Sequence, residues 1–88
     1  LRDVALMMLA EIRVWQSDTA AAVAAYDRLP AECPDSPLNP QAAFTAAMLL
    51  GASDRPAART RLQALTQKFP DATEAEEAQL VLRAWEGK

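Results

Sequence analysis

The chain has 88 residues, a formal net charge of −3 and no histidine. Without histidine, catalysis by Ser–His or Cys–His pairs and histidine-ligated metal sites are excluded. An acidic chain is a poor match for nucleic acid, whose protein partners normally carry a basic face. No unbroken apolar run is longer than the one from Ala20 to Tyr26, which is too short to span a membrane. These features predict no cofactor, no metal, no nucleic-acid partner and no membrane insertion by this segment.

Composition predicts an all-α fold. Hydrophobic residues make up 51% of the chain, most of them alanine and leucine, and only two glycines are present. Alanine and leucine are among the strongest helix formers, and no stretch alternates apolar and polar residues as a half-buried strand does. Five helices are therefore expected, separated by capping residues and prolines.

The first two predicted helices occupy the N-terminal third of the chain. The first extends to Trp15, and its apolar residues are spread so widely that burial on more than one side is expected. The second is expected over roughly residues 18–29, because Ser17-Asp18-Thr19 supplies N-cap side chains. Pro30 is expected to end this helix or to lie just past its end.

The third and fourth predicted helices begin at similar signals. Asn39-Pro40 predicts an Asn cap followed by proline at the first helical position. The third helix is expected to stop near Gly51, whose tolerance of the left-handed conformation suits a C-terminal cap. Ser53-Asp54 predicts the cap of the fourth helix, which Pro70 is expected to stop.

A shift of 36 residues superimposes one helix pair on the next without a gap. The shift matches caps with caps and breakers with breakers: Ser17-Asp18 with Ser53-Asp54, Ala21-Ala22 with Ala57-Ala58, Tyr26 with Leu62, Leu29 with Leu65, Cys33 with Phe69, and Pro34-Asp35 with Pro70-Asp71. A single helix pair cannot bury both of its faces, so neighbouring pairs are expected to stack. The fifth helix is expected to close the stack by packing Val81 and Trp85 on the fourth.

This pattern resembles the tetratricopeptide repeat, whose second helix carries a small residue, a large apolar residue and a further small or apolar residue before a proline. Those residues are Ala22, Tyr26, Leu29 and Pro34 in the first unit and Ala58, Leu62, Leu65 and Pro70 in the second. The resemblance implies a right-handed α-solenoid of helical hairpins, with about five helices and two and a half repeats. It implies one domain over residues 1–88, with repeat 1 over about 3–38, repeat 2 over about 39–74 and a closing helix over about 74–86. Because the sequence opens on Leu1 without a methionine, the chain is expected to be a piece of a larger protein.

The 36-residue period is two residues longer than is usual for that family, and the loop after the fourth helix is similar to a bacterial type of the repeat. This type occurs in the Tol-Pal accessory protein and in the lipoprotein of the outer-membrane β-barrel assembly machine. The likeness slightly favours a bacterial periplasm or cell envelope over the cytoplasm and leaves the compartment open.

The resemblance implies a non-enzymatic protein–protein interaction module or scaffold that binds a peptide or partner segment on its concave face. The groove positions of the family fall on ten residues of this chain: Met7, Glu11, Val14, Trp15, Ala43, Ala47, Leu50, Gln79, Arg83 and Glu86. One alternative is a self-association or spacer module that stacks on another copy or on a flanking domain, which would make it a homo-oligomer through its repeat ends. Another is a small-ligand effector domain of a regulator.

Two residues allow more than one interpretation. Cys33 matches Phe69 in the repeat, so a small apolar filler is favoured over a reactive thiol. Trp15 matches Gly51, so the repeat core does not determine its surroundings. Contact with a partner and packing against residues upstream of the chain are both open for this tryptophan.

Overall fold

The computed structural model describes residues 1–86 and contains five α-helices. They are α1 (Arg2–Trp15), α2 (Thr19–Glu32), α3 (Asn39–Leu50), α4 (Arg55–Lys68) and α5 (Thr73–Glu86). Helices account for 79% of the described residues, which include no strand, so the predicted all-α fold is confirmed. Each helix packs on the next one, and α3 also contacts α5, as in a stack of helical hairpins.

The N-termini of α2 and α4 are capped in the same way. Asp18 and Asp54 precede these helices and lie 36 residues apart. The Oδ1 atom of Asp18 accepts a hydrogen bond from the N–H of Ala21, and that of Asp54 accepts one from the N–H of Ala57, each at 3.1 Å. Each carboxylate therefore satisfies one of the backbone donors that the start of a helix leaves free.

The C-termini of α2 and α4 also repeat. Cys33 and Phe69 follow these helices with φ/ψ values of −133°/67° and −127°/62°. Their N–H groups donate to the carbonyls of Leu29 and Leu65 at 2.6 and 2.9 Å. The ends of α2 and α4 therefore have the same backbone geometry at positions that lie 36 residues apart. Cys33 is half-buried against an apolar cluster that includes Leu29. Phe69 has the equivalent position at the end of α4.

The predicted end of α2 at Pro30 is wrong. Pro30 lies inside the helix, which continues to Glu32. Proline lacks an N–H and removes one helical hydrogen bond, but its φ suits a helix. Pro30 stands near the C-terminal end of α2, and the N–H of Cys33 still donates to the carbonyl of Leu29. The helix therefore continues past Pro30.

The predicted cap at Asn39 is also wrong. Asn39 is the first residue of α3, Leu38 occupies the N-cap position without a side-chain hydrogen bond, and Pro40 follows in the first turn. The Asn39 side chain is only 3% exposed. Its Nδ2 atom donates to the carbonyl oxygens of Cys33 and Pro34 at 2.9 and 3.2 Å. The Asn39 side chain therefore holds the loop between α2 and α3 by hydrogen bonds, because the carbonyl oxygens of that loop lie close to the start of α3.

The left-handed cap predicted at Gly51 is not present. Gly51 has φ −61° and ψ −21°, which is right-handed helical geometry. A Cβ atom added to residue 51 would lie 3.3 Å from Cη2 of Trp85, which is closer than most real contacts. The lack of a side chain at Gly51 therefore lets the indole of Trp85 approach the end of α3 closely. The positive φ among the described residues falls on Ser17 instead, at 60° in the turn between α1 and α2.

Two apolar clusters share α3. The first joins α1, α2 and α3 through Leu6, Met7, Ala10, Ala25, Tyr26, Leu29, Ala42 and Ala46. The second joins α3, α4 and α5 through Ala47, Leu62, Leu65 and Ala78, and Val81 and Trp85 pack against it. The predicted packing of α5 through Val81 and Trp85 is confirmed. The alanines of α3 let it approach a neighbour on either side, since a short side chain keeps two helix axes close.

Candidate functional site

One side of α1 is apolar and exposed. Val4, Met8, Ile12 and Trp15 are 45%, 57%, 45% and 85% exposed. Their spacing of three and four residues places them along one side of the helix, and the opposite side is buried. We call these four residues the α1 stripe. A contiguous apolar surface of this kind is typical of an interaction site in a soluble domain.

A groove lies beside the stripe, between α1 and α3. Its lining comes from three helices and consists of Glu11, Val14, Trp15, Tyr26, Thr45 and Leu49. We call it the first groove. Trp15 belongs both to the groove and to the α1 stripe, so the two form one continuous surface. The lining is mainly apolar, and Glu11 supplies its one charged side chain.

The electrostatics of the first groove are acidic. Burial raises the pKa of Tyr26, and the negative charge of Glu11 raises it further. Glu11 is exposed and takes part in no ion pair within residues 1–86. The groove therefore presents one carboxylate beside an apolar lining, an arrangement that favours a ligand with an apolar group and a nearby positive charge.

A second cavity, of about 180 Å³, lies between α2, α3 and α4. The Asp27 carboxylate accepts two hydrogen bonds from Arg61 beside it, at 2.7 and 3.0 Å, and this pairing raises the pKa of Arg61. Asn39 also contributes to the lining, and its buried Oδ1 atom has no hydrogen-bond partner among residues 1–86. The bidentate pair joins α2 to α4 across the edge of this cavity.

The ten residues predicted for a groove do not lie together. Three of them, Glu11, Val14 and Trp15, line the first groove. The structure buries Met7 and Ala47, at 7% and 0% exposure, in the two apolar clusters, so these two expectations of surface residues are wrong. The other five do not line the first groove: Ala43 lines the second cavity, Leu50 is half-buried, and Gln79, Arg83 and Glu86 are exposed on α5.

The exposed residues Val4, Met8 and Ile12 were missed by the sequence analysis. Their i, i+4 spacing is visible in the sequence, but α1 is apolar on several sides and the pattern alone does not separate core from surface. Met7 was chosen where the structure exposes Met8. Thr45 and Leu49 of α3 were also missed, since their place in the groove depends on how α3 packs against the first pair.

The described part of the chain offers little other chemistry. Within residues 1–86 no group of three or more His, Cys, Asp or Glu side chains is placed to hold a metal ion. Among those residues, none of the helices has the length and apolar character needed to cross a membrane.

Comparison with known families agrees with the geometry of the first helix pair. Residues 4–36, which cover nearly all of α1 and the whole of α2, match the family model of the tetratricopeptide repeat. The match supports the tetratricopeptide superfamily. Repeats of this superfamily generally mediate protein–protein interaction. No curated protein and no solved structure matches the chain.

Proposed function

We propose that this chain is a non-enzymatic interaction module of tetratricopeptide type that binds a segment of another protein across the α1 stripe and the first groove. The observation that supports it best is the apolar stripe of Val4, Met8, Ile12 and Trp15, exposed beside the first groove. Apolar anchors spaced along a face suit an extended or helical peptide segment.

The wider setting is part of the same proposal. The module serves as one part of a larger bacterial scaffold or assembly factor, with residues 3–74 as two repeats and α5 as the closing helix. The charged residues Glu77, Arg83 and Glu86 of α5 are all exposed, which supports a closing role. We also propose that the repeats are of the bacterial type and that the protein is located in the cell envelope.

The test compares two substitutions of the same kind. Met8 on α1 and Leu80 on α5 are both exposed apolar residues, at 57% and 63%. Met8→Ser is expected to weaken capture of partners from bacterial envelope and cytosol fractions, while Leu80→Ser leaves capture unchanged. Both variants should keep the melting temperature of the unsubstituted protein, since neither side chain is buried. Equal capture by the two variants would contradict the proposed face.

A second candidate function, self-association, is favoured by the same exposed stripe. The α1 stripe of one copy would be covered by a second copy. Light scattering after size exclusion separates the two functions. A dimer that Met8→Ser converts to a monomer supports self-association, and a monomer at every concentration measured contradicts it.

A further inference from the structure

The first groove has an internal counterpart in the second helix pair. Shifted by 36 residues, its six lining residues fall on Ala47, Leu50, Gly51, Leu62, Val81 and Trp85. Four of these, Ala47, Leu62, Val81 and Trp85, belong to the packed second cluster. The gap between α1 and α3 is therefore open as a groove. The equivalent gap between α3 and α5 is filled by side chains.

Trp85 fills the second position. The Cη2 atom of its indole lies 3.3 Å from the place where a Cβ atom on Gly51 would be. The guanidinium carbon of Arg55 lies 4.3 Å from the centroid of the same ring, which is a cation–π contact. The indole of Trp85 and the charge of Arg55 therefore fill the position between α3 and α5.

The residues equivalent to Trp85 and Arg55, 36 positions earlier, carry neither an aromatic ring nor a positive charge. The counterpart of Trp85 is Leu49, which has no aromatic ring, and the counterpart of Arg55 is Thr19, which has no charge. The counterpart of Ala47 is Glu11, an exposed carboxylate. At the position of Gly51 the first groove has Trp15, which lines it together with Val14, Tyr26 and Leu49. The first groove is therefore an apolar site with an aromatic wall and a negative charge at its edge.

We infer that the first groove binds an aromatic side chain of a partner protein together with a neighbouring arginine or lysine. The aromatic ring lies over Leu49 and Val14 and against Trp15, on the side of the groove that Trp85 fills in the second pair. The basic residue pairs with Glu11. This inference rests on the proposed function and deepens it, because it names the chemistry of the bound segment.

The test uses short, end-blocked alanine peptides with Arg-Trp at the centre. Amide resonances of the protein are followed while each peptide is added. Saturable shifts are expected at Val14, Trp15, Thr45 and Leu49. Replacing the peptide tryptophan with alanine is expected to lower affinity about tenfold or more, as for a central aromatic anchor. Replacing the peptide arginine with glutamate is expected to lower it about two- to fivefold, in the range of an exposed ion pair.

A variant of the protein provides the matched control. Leu49→Trp places an indole at the position that corresponds to Trp85 and is expected to fill the groove from within. Peptide affinity should then fall at least about tenfold, by loss of a central contact, while the melting temperature stays the same or rises. Leu80→Trp adds the same ring at an exposed site of α5 and should leave peptide affinity unchanged.

The outcomes separate this inference from the proposed function. Binding that shifts Val4, Met8 and Ile12 but not Leu49 would overturn the inference and leave the proposed function intact. Peptide affinity that is unchanged in Leu49→Trp would also overturn it. Failure of the Arg-Trp peptide to bind, in a protein whose Met8-dependent partner capture is intact, would overturn the inference alone. Loss of both results would overturn both proposals.

Discussion

The indole of Trp85 packs against Gly51 so closely that a Cβ atom on residue 51 would lie 3.3 Å from its Cη2 atom. This contact joins α5 to the end of α3, and the guanidinium of Arg55, at the start of α4, lies over the same indole at 4.3 Å from the ring centroid. One tryptophan therefore connects three helices. The equivalent contact is missing between α1 and α3, where Trp15 is exposed and the groove stays open.

Gly51→Leu is expected to destabilise the protein by about 1–3 kcal/mol, the usual cost of overpacking. The added side chain would displace Trp85, so the tryptophan fluorescence of the folded state should shift toward that of an exposed indole. Urea unfolding measures the free-energy change. Ala52→Leu, at an exposed neighbouring position, is the control and should change stability little. Equal stability of the two variants would contradict the close packing at Gly51.

Asp18→Ala and Asp54→Ala are each expected to cost about 1 kcal/mol of unfolding free energy, because each removes one N-cap hydrogen bond. The two losses should be similar, since both carboxylates accept the same bond at 3.1 Å. Chemical denaturation of the single variants gives the values. Asp71→Ala removes an exposed carboxylate for which no hydrogen bond is found within residues 1–86, and its stability should match that of the unsubstituted protein. A loss from only one cap variant would contradict the equivalence of the two helices.

Tyr26 is the chain's single tyrosine, so its ionisation can be followed directly by absorbance. Burial, and after it the charge of Glu11, raises the pKa of Tyr26 above 10.0. A raised folded-state pKa means that this group's contribution to stability is complete below pH 10.0 and is lost as the pH rises through the folded-state pKa. Glu11→Gln is expected to lower the pKa of Tyr26 but to keep it above 10.0, because burial is the larger cause.

Glu86→Gln is the control for the tyrosine titration, since it removes an exposed carboxylate on α5. It should leave the pKa of Tyr26 where it is in the unsubstituted protein. A titration that is the same in Glu11→Gln and in the unsubstituted protein would remove the argument that the first groove is acidic.

Low pH is expected to weaken the contact between α1 and the loop that joins α2 to α3. A hydrogen bond of 2.7 Å from the Ser36 hydroxyl, followed by one from the N–H of Val4, lowers the pKa of Asp3 below 3.8. A lowered folded-state pKa gives stability that is present above pH 3.8 and is lost as the pH falls through the folded-state value. Ser36→Ala should reduce this acid dependence, as measured by the melting temperature across acid pH.

The control for this acid dependence is Thr60→Ala, whose hydroxyl donates to the carbonyl of Pro56 and not to a carboxylate. It should leave the acid dependence unchanged. Glu32 contributes in the same direction, because hydrogen bonds from Arg28 and then Arg2 lower its pKa below 4.5. Loss of stability that begins well above pH 4.5 would contradict these assignments.

Local signals predicted the helices well. Asp18 and Asp54 act as the caps that their sequence positions indicate, because a cap bonds to a donor three residues away and needs no distant partner. The roles of Asn39 and Gly51 could not be predicted from the sequence, because they depend on contacts with other segments. Asn39 bonds the preceding loop, and Gly51 accommodates a side chain from α5.

The candidate site was only partly predictable for the same reason. Glu11, Val14 and Trp15 were expected on the binding face and do line one groove. The choice of Met7 over Met8 failed, because adjacent residues on a helix point about 100° apart and an apolar pattern on several sides does not reveal which one faces the core. The open gap between α1 and α3 also depends on the side chain at position 49, which the helix pattern does not constrain.

The most direct test of the central claim is a selection of peptides from a random display library on the folded protein. Each recovered peptide is then measured against the unsubstituted protein, Trp15→Ser and the control Leu80→Ser. We predict that recovered peptides carry an aromatic residue next to a basic one and lose most of their affinity for Trp15→Ser alone. Recovered peptides that bind Trp15→Ser as tightly as the unsubstituted protein would contradict an interaction face on α1.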